Sequence, residues 1–171
     1  MKFIVESNAL TDSVNWVSRS LSTRPIMTAL LGIVIDAQND VTLSASDLET
    51  SAKSSFNADI KEKGRVLVPG RLLSEIARAL PNKPVSFTLD GSRVLVVAGS
   101  AKFTLPTLPI NEYPNLPTLP ETSGLIASDI FATAVNQVAI AAGRDESLPT
   151  LTGIHVDISG ETISLRSEEH T

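Results

Sequence analysis

The chain has 171 residues, 42% hydrophobic and 19% charged, so it can bury a core and is not a disordered polymer. Its formal net charge of −5 denies it bulk attraction to nucleic acid, and the absence of cysteine removes any disulfide framework or thiolate metal site. No apolar stretch approaches the roughly 20 residues of a membrane span, and the N-terminus lacks a signal-peptide core, so a soluble, cytoplasmic protein is expected.

Met1-Lys2-Phe3-Ile4-Val5-Glu6 reads as a strand. A helix is expected over residues 8–21, with Ser7 or Asn8 as N-cap and a narrow apolar stripe at Leu10, Val14, Val17 and Leu21. A loop with Arg24-Pro25 follows, then strand-length segments of alternating pattern at 32–36, 41–46, 55–60 and 66–68. A second helix over 70–80 places Leu72, Leu73, Ile76, Ala77 and Leu80 on one stripe, with Arg71, Glu75 and Arg78 off it; Pro81 and Pro84 stop it. Strands resume at 85–89, 93–98 and 102–105, the first two joined by a turn at Asp90-Gly91. This is an α+β domain dominated by antiparallel sheet, over residues 1–120. Residues 105–124 hold five of the ten prolines and are expected to be an extended connector, because proline cannot donate to a ladder. A third helix is expected over 128–142.

The chain repeats itself at an offset of 121 residues. Leu10, Val14, Val17 and Leu21 recur as Phe131, Val135, Val138 and Ala142. Leu30, Gly32, Ile33 and Asp36 recur as Leu151, Gly153, Ile154 and Asp157, and after one residue of slippage Val41-Thr42-Leu43 is answered by Ile163-Ser164-Leu165. A period of this length marks a duplicated domain, with a second, truncated copy over 121–165. Residues 166–171 show no alternation. Their hexapeptide is what AGA-TCG-GAA-GAG-CAC-ACG, the start of a common sequencing adapter, would encode, so a non-native tail is expected. A longer natural reading frame through these codons would reject that reading.

Catalytic chemistry finds little support. His155 reads as a solvated strand residue and His170 falls in the suspect tail, so neither a histidine metal site nor a triad is expected. Asp47 and Glu49 read as a polar turn rather than an acid–base pair, and no glycine-rich phosphate loop occurs. The expectation is a non-catalytic binding or scaffolding protein with no cofactor and no metal. Its charge is uneven: residues 1–120 hold twelve Lys/Arg against eleven Asp/Glu, and residues 121–171 hold two against eight. Any nucleic-acid role must then use a local basic surface or topology. Arg19 and Arg78 have an ordinary reading as arginines at helix C-termini. Recurrence of a basic residue after the equivalent helix singles out Arg24 and Arg144.

These segments together resemble the bacterial DNA sliding clamp family, the beta subunit of DNA polymerase III. The resemblance is carried by Met1-Lys2-Phe3, Arg24-Pro25, Leu30-Leu31-Gly32, Ser46-Asp47-Leu48-Glu49 and Val68-Pro69-Gly70-Arg71. It continues through Ile76-Ala77-Arg78-Ala79-Leu80-Pro81, Lys102-Phe103-Thr104-Leu105-Pro106-Thr107-Leu108-Pro109 and Glu112-Tyr113-Pro114-Asn115-Leu116.

The resemblance implies a DNA-clamp fold with antiparallel sheets on the outer face and two helices per domain on the inner face. Two chains of three such domains would close a homodimeric ring around duplex DNA. It implies DNA contacts at Arg24 and Arg71, with Arg144 standing in for the loop after the third helix. It implies a subunit junction at Leu72, Ile76, Phe103 and Leu105, and one residue, Leu151, of the pocket that takes peptides of DNA polymerase III and of the clamp loader. No membrane partner is implied. The competing reading is a duplicated β-rich adhesion or ligand-binding module, which would be nearly all strand where a clamp carries arginine-bearing helices.

Overall fold

The computed structural model describes residues 1–22, 26–116, 124–145 and 147–167. It divides into two compact units, 1–118 and 119–171.

In the first unit, β1 (Lys2–Val5) runs directly into α1 (Ser7–Val17). Neither Ser7 nor Asn8 caps this helix. Ser7 is buried inside the first turn, and Glu6 holds the N-cap position in extended conformation without a side-chain hydrogen bond. The helix is also shorter than its apolar stripe suggests: a 3-10 turn at Ser18–Ser20 closes it, and Leu21 is extended. After a second 3-10 turn (Thr28–Leu31) come β2 (Gly32–Ala37), β3 (Val41–Ser46), β4 (Ser51–Phe56), β5 (Asp59–Glu62) and β6 (Gly64–Pro69). The strand expected at 55–60 is thus two strands broken at Asn57-Ala58. Phe56 still pairs with Val41, whereas Ile60 pairs with Phe3 in a different sheet. Then follow α2 (Gly70–Ala79), β7 (Val85–Asp90), β8 (Arg93–Ala98) and β9 (Ala101–Pro106). Gly91, at φ +57°, makes the turn between β7 and β8 in the left-handed region that favours glycine.

The strands form two antiparallel sheets in the orders β5-β1-β7-β8-β9 and β4-β3-β2-β6. One core joins them. Phe3, Val5, Phe87, Val94 and Val96 from the first sheet meet Ile33, Ile35, Leu43 and Val68 from the second, with Leu10, Val14 and Val17 of α1 and Leu73, Ile76 and Ala77 of α2. Phe3 and Phe87 are register partners whose rings stack with centroids 4.8 Å apart.

The alternation read in 32–36 is incomplete, because β2 and β6 are buried on both faces. Ile33, Ile35, Val66 and Val68 enter the main core, while Val34 and Leu67 point the other way into a second cluster with Ala29 and Tyr113. That cluster corrects the reading of 105–124 as a plain connector. Leu108 bridges to Leu67, donating its N–H to the Leu67 carbonyl at 2.8 Å, and Leu108, Ile110 and Leu116 pack beside Tyr113. The prolines are compatible with this strap, since a chain that lies across a sheet face needs few ladder donors. Pro117 and Pro120 lie outside the described residues.

The second unit contains α3 (Ser128–Ala139), a 3-10 turn (Pro149–Thr152), β10 (Ile154–Ser159) and β11 (Thr162–Ser167). The order repeats that of the first unit, and its register reproduces the one-residue slippage. Ile35 pairs with Leu43, and their counterparts Val156 and Leu165 pair likewise. β11 continues through Arg166 and Ser167, which pair with His155 and Ile154, and the Ser167 hydroxyl donates to the Ala141 carbonyl. The strand therefore passes the boundary expected at Leu165. A ladder is made of backbone groups and accepts any side chain that fits the turn before it. Ile154, Val156 and Ile158 do not form an inward face: Ile154 is half-buried and Ile158 is 67% exposed.

Candidate nucleic-acid interface

α1 and α2 pack side by side over the first unit's core. The Thr11 hydroxyl lies within hydrogen-bonding reach of two carbonyls, Ser7 of its own helix at 2.9 Å and Ala77 of α2 at 3.2 Å. Both helices bury one stripe, and the residues off the stripes face outward: Asn8, Asp12, Asn15 and Trp16 on α1, and Arg71, Glu75 and Arg78 on α2; Leu72, expected on the stripe, lies at its edge and is exposed with them. Ser74 is buried, with its hydroxyl donated to the Gly70 carbonyl, and contributes no free donor.

Between the end of α1 and α2 runs an open groove of about 700 Å³, lined by Ser18, Leu21, Ser22, Arg71, Glu75 and Arg78, among others. Among the described residues no carboxylate lies within 4 Å of Arg71 or Arg78, although Glu75 shares their helix. Two exposed guanidiniums beside serine hydroxyls can engage phosphate oxygens without first breaking an ion pair. Arg71 thus stands where the sequence places it, on the exposed side of the second helix. Arg24 lies outside the described residues. Arg144 is exposed in the second unit just after α3. Its neighbour Asp145 accepts hydrogen bonds from the Ser147 hydroxyl at 2.7 Å and the Ser147 N–H at 3.0 Å, which hold its carboxyl below the usual aspartate range.

The four residues assigned to a subunit junction divide. Leu72 is 37% exposed on α2, and Phe103 is half-buried on β9, the last strand of its sheet. Ile76 and Leu105 are buried in the core. Leu151 is half-buried, and its carbonyl accepts the Gly143 N–H at 2.7 Å. Asp47 and Glu49 form the turn that the sequence suggests: Asp47 Oδ1 accepts the N–H of Glu49 and both the N–H and hydroxyl of Thr50. His155 is half-buried rather than fully solvated. Among the described residues no cluster of histidine and carboxylate side chains could hold a metal ion, and no helix is long and apolar enough to cross a membrane.

One feature of the helix layer escaped the sequence reading. Trp16 is 52% exposed, and the Arg19 guanidinium sits over its ring, 5.5 Å from the centroid. The i, i+3 spacing of an aromatic and a cation at a helix end was the available signal.

Residues 1–117 match the family described as DNA polymerase III beta subunit, N-terminal domain. The chain is 49% identical over 170 residues to a beta sliding clamp of Streptomyces coelicolor, covering 99% of this chain and 45% of the relative. It is 35% identical over 120 residues to a beta sliding clamp of Vibrio harveyi, covering 68% of this chain and 82% of the relative. The solved structure of a Bacillus subtilis DNA polymerase sliding clamp superposes with a TM-score of 0.88 at 26% identity, covering 99% of this chain and 48% of that one. The chain spans about half the length of the Streptomyces relative and of the Bacillus structure.

Proposed function

Because the chain belongs to the DNA polymerase III beta-subunit family, the sliding clamps, we propose that it supplies the first domain and the beginning of the second domain of a replication processivity clamp. The observation that carries this reading is 49% identity to a beta sliding clamp over 170 residues. The assembled clamp is a homodimeric ring around duplex DNA that tethers DNA polymerase III, receives the clamp loader, and works in the cytoplasm without catalysing a reaction or holding a cofactor. The arginine-bearing helices favour it over a β-rich adhesion module.

In this reading Arg24 and Arg71 face the DNA from the first domain and Arg144 from the second. A closed ring is retained by topology, so its phosphate contacts need only be weak and mobile, which fits a protein of net charge −5. Leu72 and Phe103 make the junction with the partner subunit, and Ile76 and Leu105 hold them from the core side. Leu151 belongs to the peptide pocket.

The test is duplex binding as a function of salt. Replacing Arg71 with Ala should weaken binding of the chain to a labelled duplex and lower the slope of log affinity against log salt by about one. An unchanged slope rejects Arg71 as a DNA contact.

A further inference from the structure

We propose that Trp16 and Arg19 form an additional contact to the sugar–phosphate backbone of duplex DNA, with Arg19 as the phosphate ligand and Trp16 as its positioning residue. This rests on the duplex-binding reading above and extends it to a pair of residues outside the arginine set already assigned.

Trp16 is the only tryptophan in the sequence, and it spends half of its surface on solvent instead of on the core. A side chain this large is ordinarily buried, so its exposed place calls for a use. Its neighbour supplies one. The Arg19 guanidinium stands over the indole at cation–π distance, a contact that narrows the rotamers of a long side chain, and Arg19 remains exposed to solvent.

Among the described residues Arg19 has no charged partner. Among the described residues it makes no hydrogen bond to the last carbonyls of α1 and lies within 4 Å of no carboxylate. The ordinary role of an arginine at a helix C-terminus is therefore not the one it fills. Arg19 is not itself part of the groove's lining, but its neighbour Ser18 is, beside Arg71 and Arg78, and the turn Ser18–Ser20 packs against α2.

Duplex backbone is favoured over an unpaired base by the company the indole keeps. Stacking sites for single strands present successive aromatic faces, whereas Trp16 carries a guanidinium over its ring and, among the described residues, no second exposed aromatic stands in the first unit. The first unit's other large aromatics do not extend the shelf: Phe3, Phe87 and Tyr113 are buried, and Phe56 and Phe103 are packed against the core.

Because Trp16 is the sole tryptophan, its emission reads this position alone. The chain is titrated at low salt with a fluorophore-labelled duplex oligonucleotide, following duplex anisotropy and indole emission together. The expected result is that both change at the same concentration. Arg19→Ala should lower the salt slope by about one, and Trp16→Leu should keep the slope but weaken binding by about two- to fivefold, the loss of one exposed cation–π contact. Anisotropy that rises while the indole stays silent overturns this proposal and leaves the duplex reading standing. A larger indole response to an unpaired oligonucleotide, or an unchanged slope in Arg19→Ala, overturns it as well. No anisotropy change with duplex rejects the duplex reading and this proposal with it.

Discussion

Tyr113 separates a ring that stabilises the fold from a hydroxyl that does not. The ring fills the cluster with Ala29, Val34 and Leu67, while the buried hydroxyl makes no hydrogen bond of good geometry among the described residues and feels the Ser46 backbone only weakly. Burial pushes the phenol's pKa up, against smaller opposing pulls from the Ser46 backbone and the Arg65 charge. Tyr113→Phe should therefore leave stability unchanged or raise it by up to about 1 kcal/mol, because a desolvated hydroxyl disappears with it. Tyr113→Ala should cost about 3 kcal/mol through lost ring burial. Urea unfolding of the two variants checks both signs, and a Tyr113→Phe variant as damaged as Tyr113→Ala would reject the assignment. Asp47 offers the opposite case, a surface carboxylate with a defined task. Its three hydrogen bonds hold the turn in which Leu48 takes φ 82°, a strained value for a leucine. The backbone hydrogen bond from Thr50 leads the causes that lower its pKa. A carboxyl lowered in the folded state contributes stability above its unfolded pKa of about 3.9 and loses it as pH falls through the folded value. Asp47→Asn should accordingly flatten the acid limb of the stability curve, and an unchanged limb would remove the turn from the account.

At the scale of elements, legibility follows the number of partners each element needs. The span of α2 is read to within one residue because its stripe, its outward arginines and Pro81 all act locally. The turn at Asp90-Gly91 is equally local. The break between β4 and β5 is not, since it exists because Ile60 crosses to pair with Phe3 in another sheet. The strap over residues 107–116 was hidden for the same reason: the prolines advertise its extended backbone, but only the position of Leu67 on the reverse face of β6 makes it part of the fold. The outward place of Arg71 is legible from its helical phase, whereas the Trp16–Arg19 contact shows in the sequence only as an i, i+3 spacing. Gly32 and Gly153 turn the repeat into a test of this dependence on partners. A Cβ at Gly32 would stand 2.5 Å from Cδ1 and 2.8 Å from Cγ of the fully buried Leu67, whereas at Gly153 it would meet only the Thr150 carbonyl at 3.8 Å. Neither backbone needs glycine for its dihedrals, with φ −98° and −90°. Gly32→Ala should cost about 1–3 kcal/mol by overpacking, and Gly153→Ala should be tolerated. Equal melting temperatures for the two variants would show that Leu67 yields freely.

The whole molecule carries its stability unevenly. Every buried apolar side chain among the described residues lies between Met1 and Tyr113, and α3 buries no residue at all. In the second unit Phe131 is exposed, Val135 and Val138 are half-buried, and the hairpin of β10 and β11 stands as a two-stranded sheet. A hairpin of two strands is marginal by itself, and one helix beside it removes little surface from water. The first unit has the opposite character: two sheets and two helices close on one core, at a size where isolated domains commonly fold. The chain should therefore open locally in residues 119–171 long before the first unit unfolds. The strap sharpens the expected boundary, since Leu108, Ile110, Tyr113 and Leu116 are tied to the four-stranded sheet and should be protected with it. Limited proteolysis followed by mass spectrometry should yield early cuts after Leu116 and a resistant fragment that retains Tyr113. Hydrogen exchange should show fast amides in α3, β10 and β11 against slow ones in β2, β6 and β7. First cuts between Pro106 and Leu116 would show that the strap is loosely held, and equal protection through Leu165 would show that the second unit finds a core of its own.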